Sequence, residues 1–173
     1  MKILIIKTGA LGDVLRTSFI AQALKDKYKN SEITWLTDEK AEPMFVNNPY
    51  VDEIDIGSEE SIKKLSVEKF DLVINLEEDI EHVKFASSFD CDVIGFLWKD
   101  GKIAPSETTK EWFDMSRLGE KPKNDLLKIA NKKTHRQLIA EIIGIDYKRY
   151  EPFLRLNESQ IKLSNEFIRR YNI

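Results

Sequence analysis

Seven consecutive residues, Lys7-Thr8-Gly9-Ala10-Leu11-Gly12-Asp13, carry the densest chemistry in this 173-residue chain. Two glycines so close together let the backbone turn tightly or approach a ligand. Amides at the start of a helix can hold an anionic or hydroxylated group. The spacing is not that of a dinucleotide fingerprint, because Gly9 and Gly12 give no G-x-G-x-x-G, and no Lys-Ser/Thr pair follows Gly12 as a phosphate-cradling P-loop requires. The plainer alternative makes Asp13 an ordinary helix N-terminal acid and the glycines steric. The residues alone leave these two readings open.

Other groups carry weaker signals. Glu77, Glu78, Asp79 and Glu81 follow an apolar run and suit acid/base work or cation binding. The duller account, acids favoured in a helix's first turn by its dipole, explains them better. The only histidines are His82 and His135, too far apart and without a Cys motif to make a metal site. His135 follows an apolar stripe through Leu127, Ile139 and Ile143 and can face either the core or a cleft. Trp98 and Trp112, with Phe96, Phe113 and Tyr147, suit sugar stacking or lipid contact, although such aromatics more often fill a core. Lys63-Lys64 beside Glu59-Glu60 reads as a mixed-charge exposed helix.

These residues must be positioned by alternating strands and helices. Ile3-Leu4-Ile5-Ile6 is wholly apolar, as a strand buried on both faces of a parallel sheet requires. A helix over 13–28 follows, then a strand at Ile33-Thr34-Trp35-Leu36 and a short helical stretch near 40–46, broken by Asn47-Asn48-Pro49. Val51 to Ile56 alternates as a half-exposed strand, and Ser58 can cap a helix over 59–66. Leu72 to Leu76 is the next buried strand, residues 79–88 a helix, and Val93 to Phe96 a further strand leading into an Asp100-Gly101 hairpin. Residues 124–143 read as one long amphipathic helix stopped by Gly144. Phe153 to Leu156 suits a last strand, and Asn157 caps a helix over 158–171. Such alternation predicts an α/β fold, a Rossmann-like doubly wound parallel sheet with ligands at the carboxyl ends of its strands.

Composition bounds the function. Charged residues make up 33%, Lys+Arg 27 against Asp+Glu 30, for a net charge of −3, which is not the footprint of a general nucleic-acid binder. The single cysteine, Cys91, cannot form an internal disulfide or a multi-cysteine zinc site, so a reducing, cytoplasmic setting is expected. It reads as a small buried hydrophobe. No apolar run approaches the roughly 20 residues that span a bilayer, and no signal peptide is expected. Peripheral contact with the inner face of the cytoplasmic membrane stays open.

The stretch Met1 to Leu15, which contains Lys7-Thr8-Gly9-Ala10-Leu11-Gly12-Asp13, closely resembles the start of family 9 glycosyltransferases, which include the bacterial lipopolysaccharide heptosyltransferases. The likeness is strongest over residues 1–56 and continues more loosely through Phe70 to Leu76, Val93 to Phe96 and the helix ending Ile142-Ile143-Gly144-Ile145. It implies the N-terminal, acceptor-side half of a GT-B enzyme: residues 1–156 as a Rossmann-like domain, and 157–173 as a helix leading toward a donor-binding half absent from this sequence. It further implies that Asp13 deprotonates an acceptor hydroxyl, and that Lys7, Thr8, Gly9, Ala10 and Gly12 line the substrate cleft. The partners implied are a nucleotide-sugar, held mainly by the missing half, and a saccharide or lipid-linked acceptor of the cell envelope, with no cofactor and no catalytic metal. This chain alone is then expected to transfer little or nothing. The acidic Glu77-Glu78-Asp79 departs from the family's polar, glycine-containing segment and weakens the case for a phosphate-rich acceptor. A noncatalytic ligand-binding or interaction domain on the same fold is the alternative.

Overall fold

The computed structural model describes residues 1–172. Six strands form one sheet: β1 (Lys2–Ile6), β2 (Glu32–Thr37), β3 (Glu53–Ile56), β4 (Leu72–Asn75), β5 (Asp92–Lys99) and β6 (Lys102–Pro105), in the spatial order β3-β2-β1-β4-β5-β6. The first five are parallel, and only β6 runs antiparallel, folded back on β5 through Asp100 and Gly101, both at positive φ. That is the turn an Asp-Gly pair favours between two strands.

The order reverses between β1 and β4, and a crevice opens at such a switch point, outside the carboxyl ends of the strands. The loops after Ile6 and after Asn75, partners in register, meet there. Every apolar residue of β1 is fully buried because helices cover both faces. Ile3 and Ile5 pack with Ile74, Phe19, Leu24 and Ile139, whereas Leu4 and Ile6 pack with Val73, Leu65 and Ala86 on the other side. Each such side chain contributes roughly 1.5–3 kcal/mol relative to exposure, so this double-sided strand is the anchor of the fold.

Two expected helices are broken. Residues 13–28 divide into α1 (Leu11–Thr17) and α2 (Phe19–Lys27) because the Ser18 hydroxyl donates to the Leu15 carbonyl at 2.7 Å, competing locally with the helix ladder. After α3 (Glu59–Val67), α4 (Ile80–Ala86) and α5 (Lys110–Met115), residues 124–143 divide into α6 (Lys123–Ala130) and α7 (His135–Ile143). Asn131 turns the chain by bonding both main-chain groups of Lys133, and Thr134 with Gln137 forms a capping box that starts α7 afresh. The stripe from Leu127 through His135 therefore does not lie on one helix. Gly144 ends α7 in the left-handed conformation, as expected.

The stretch near 40–46 is a 3-10 turn, Glu42–Phe45, and residues 153–156 form no strand. Asn157 caps α8 (Glu158–Tyr171) with a capping box, and none of its residues is buried. Among the described residues no helix is long and apolar enough to cross a membrane.

Candidate active site

The crevice at the switch point is a cleft of about 310 Å³, with Gly9, Ala10, Asp13 and Thr17 on one side, Glu77, Glu78 and Arg117 on another, and Trp112, His135 and Ile139 closing it. Its rim is built from the loop that follows β1. Trp35, fully buried against Phe45, donates its indole N–H to the Lys7 carbonyl at 3.2 Å and so fixes where the strand ends. Ala10 then takes φ 51° and ψ 103°, a conformation costing on the order of 1–3 kcal/mol for a residue with a Cβ, and turns the chain into α1. Asp13 sits in the first turn of that helix, its side chain 37% exposed, with Oδ1 accepting from the Arg16 guanidinium.

Lys7 is buried in the cleft wall. Its ammonium lies 2.6 Å from Glu77 Oε1, and the same oxygen accepts from the amides of Thr8 at 2.7 Å and Gly9 at 2.9 Å. Both side chains of the pair are more than four-fifths buried. One carboxylate thus fastens the loop after β4 to the loop after β1, where three donors offset its desolvation. Asn75 sets Glu77 in place: its side-chain oxygen accepts from the Glu77 amide, and its side-chain nitrogen donates to the carbonyls of Glu77 and Phe96. Glu78 accepts from Arg117 Nε at 3.1 Å across the cleft. The acidic segment after β4 is therefore largely neutralised by pairing, which removes much of the repulsion expected toward an anionic acceptor.

The inner wall is less satisfied. His135 meets Trp112 edge to face at 4.9 Å between ring centroids, and its Nδ1 and the Thr17 hydroxyl are buried with no hydrogen-bond partner among the described residues. Burial, helped by the nearby positive charges of Arg16 and Lys7 and opposed by Asp13, pushes the His135 imidazole down to about 4, so the ring is neutral near pH 7. A neutral imidazole offers one donor and one acceptor to a hydroxylated ligand.

Other residues singled out from sequence lie elsewhere. Asp79 is the α4 cap, accepting from the amide and ring of His82; burial raises its carboxyl, but those bonds outweigh it and hold it below the ordinary range. Glu81 is a first-turn acid of α4, so the dipole account suits both. Lys64 pairs with Glu53 and Asp55, and Lys63 with Glu59. Phe96 is core against Phe113, Trp98 carries Lys84 over its ring, and Tyr147 accepts from Gln137. Cys91 packs beside the core cluster on the opposite face of the sheet, its thiol pushed up by burial and neighbouring carboxylates. Among the described residues no three metal-ligating side chains gather.

Sequence reasoning missed Glu77 as the fastener, and also Arg16, Thr17 and Arg117. The first was within reach. A sheet that places the loop after β4 beside that after β1 puts Glu77 opposite Lys7.

No family model matches the chain. It is 41% identical over 54 residues to lipopolysaccharide heptosyltransferase 1 of Campylobacter coli, a match covering 31% of this chain and 16% of that protein. Its fold superposes on a family 9 glycosyl transferase from Veillonella parvula with a TM-score of 0.64 and 18% identity, covering 99% of this chain and 49% of the other. E. coli heptosyltransferase II superposes with a TM-score of 0.58 at 12% identity over 96% of this chain and 50% of that one. E. coli heptosyltransferase WaaC with ADP-2-deoxy-2-fluoro heptose gives 0.57 at 14% identity over 88% and 51%. The chain thus spans about half the length of these solved structures. In a sequence match of 54 residues and in a fold shared over nearly its whole length, this chain is similar to the family 9 glycosyltransferases, as the run from Met1 to Leu15 suggests.

Proposed function

We propose that this chain is the acceptor-binding half of a glycosyltransferase that moves a heptose-like sugar from an ADP-linked donor to a cell-envelope saccharide or lipid-linked acceptor. The observation that carries the reading is Asp13: a partly exposed carboxylate lining a cleft, in the first turn of the helix that follows β1, where the sheet's order reverses. The acceptor hydroxyl gives its proton to Asp13 as its oxygen bonds to the anomeric carbon, and the bond from that carbon to the donor phosphate breaks, releasing ADP. Arg16 engages Oδ1, leaving the second oxygen to face the hydroxyl. Trp112 and His135 give the acceptor ring an apolar wall and a neutral polar edge, with the Thr17 hydroxyl beneath.

In this reading Lys7, Thr8, Gly9, Ala10 and Gly12 shape the wall nearest the donor. Because Glu77 already holds the Lys7 ammonium and the amides of Thr8 and Gly9, these three act through the loop's form rather than by direct bonds to phosphate. The donor is held by a second α/β half facing the cleft, with α8 leading toward it. Supplying such a half and measuring transfer with and without it tests the scheme. Transfer is expected only with both, and undiminished transfer by residues 1–173 alone contradicts it.

A further inference from the structure

The helical stretch that carries Asp13 is interrupted at a buried residue, and the interruption is held from far along the chain. At Ser18, 2% exposed, the amide donates to the Leu15 carbonyl at 3.0 Å, three residues back, where a continuous α-helix bonds four back. The Ser18 hydroxyl donates to the same carbonyl at 2.7 Å and accepts from the Phe153 amide at 3.2 Å. Phe153 is the end of a strap. Its ring meets Tyr50 edge to face, 5.7 Å between centroids, and Tyr150 before it is buried. The same strap grips α7, because Tyr147 accepts from Gln137 at 3.0 Å and Glu151 accepts from Arg136. From Leu154 to Asn172 every residue is exposed, so the chain is last anchored at Phe153. The residues that the strap holds are neighbours of cleft residues. Ser18 follows Thr17 and Arg136 follows His135, the two that line the cleft with buried polar atoms unpartnered among the described residues.

We propose that Ser18 is a positioning residue for the cleft: its hydroxyl, backed by the Phe153 amide, bends the α1–α2 stretch so that Asp13 and Thr17 line the cleft with Trp112 and His135. Serine hydroxyls that bond back onto the preceding turn bend helices. Apolar periodicity runs on through residue 18, so the bend rests on the side-chain bonds and not on the pattern of burial. Alanine forms helix more readily than serine and offers nothing to the Phe153 amide. In Ser18→Ala the stretch therefore straightens, and α1 turns away from α7 with Asp13 and Thr17 on it. What this placement is for rests on the reading of Asp13 as a base; whether it occurs does not.

Titration of the His135 ring by NMR reads the placement without any transfer assay. The ring feels Arg16, Asp13 and Lys7, and its low midpoint, about 4, comes first from burial. In Ser18→Ala the ring gains water as α1 turns away, so the midpoint is expected to rise by about one pH unit or more. Ser18→Thr keeps a hydroxyl that can bond back to the same turn, and Ser66→Ala removes a like bond to the Ile62 carbonyl in α3. Both are expected to stay within about 0.3 of the original midpoint. Exchange of the Phe153 amide in the original chain needs no variant: its bond to Ser18 is expected to slow it about hundredfold relative to the Arg155 amide. The proposal is overturned by an unmoved midpoint in Ser18→Ala, by an equal rise in Ser18→Thr or Ser66→Ala, or by exchange at Phe153 as fast as at Arg155. Undiminished transfer in Asp13→Asn removes the role of Asp13 and leaves the placement standing.

Discussion

Glu77 shows how one side chain can hold a site together without taking part in its chemistry. Removing it strands Lys7 in a buried position and frees two loop amides, so Glu77→Ala is expected to lower stability by about 3 kcal/mol in urea titration. His135 adds a pH signature. Its ring is held neutral down to about pH 4, whereas in the unfolded chain it takes up a proton near its ordinary 6.5. Between those values the unfolded state binds more protons, so this residue's contribution to stability falls as pH drops through the window. The loss is about 1 kcal/mol, well short of the full linkage value because the ring is only partly buried. Urea midpoints measured from pH 7 to pH 4 are expected to fall less steeply in His135→Asn. At this scale the sequence singled out Asp13 and Lys7, which both line the cleft, but not the carboxylate that holds Lys7. A charged residue at a strand end reads as solvated until the strand beside it is known.

Among the elements, β4 and β5 carry the steepest constraint. Gly95 faces Asn75 at φ 110°, and a Cβ there comes within 1.8 Å of the Asn75 carbonyl oxygen. Gly95→Ala therefore has to push apart the two strands whose ends position Glu77. It is expected to cost more than about 3 kcal/mol in denaturant unfolding, beyond the usual range for a surface change. The positions of β1, β2 and β4 were legible because buried parallel strands are short apolar runs, although the run Phe153 to Leu156 forms no strand, and helix ends were legible because Ser58, Gly144 and Asn157 are good caps. The two helix breaks were not, since apolar periodicity carries across Ser18 and across 131–134. What interrupts each helix is a hydrogen bond, and Thr134-His135-Arg136-Gln137 holds the capping-box pattern that marks the second.

For the whole molecule, the sheet order puts the loops after β1 and β4 side by side, and the cleft that holds Asp13 follows from that adjacency. The alternation of strands and helices makes a parallel sheet legible, but which strands lie next to each other is decided by long-range packing that no local pattern encodes. Thr17 and Arg117 therefore join the cleft with no warning in the sequence.

The most direct test is the rate of sugar transfer from an ADP-linked heptose when this chain, as the original or as Asp13→Asn, is supplied with a donor-binding half, together with acceptor affinity measured by calorimetry. The asparagine keeps the shape of the side chain and loses the base, so turnover is expected to fall by about 10² or more while acceptor binding changes by less than about threefold. Equal turnover by the two proteins would contradict the account.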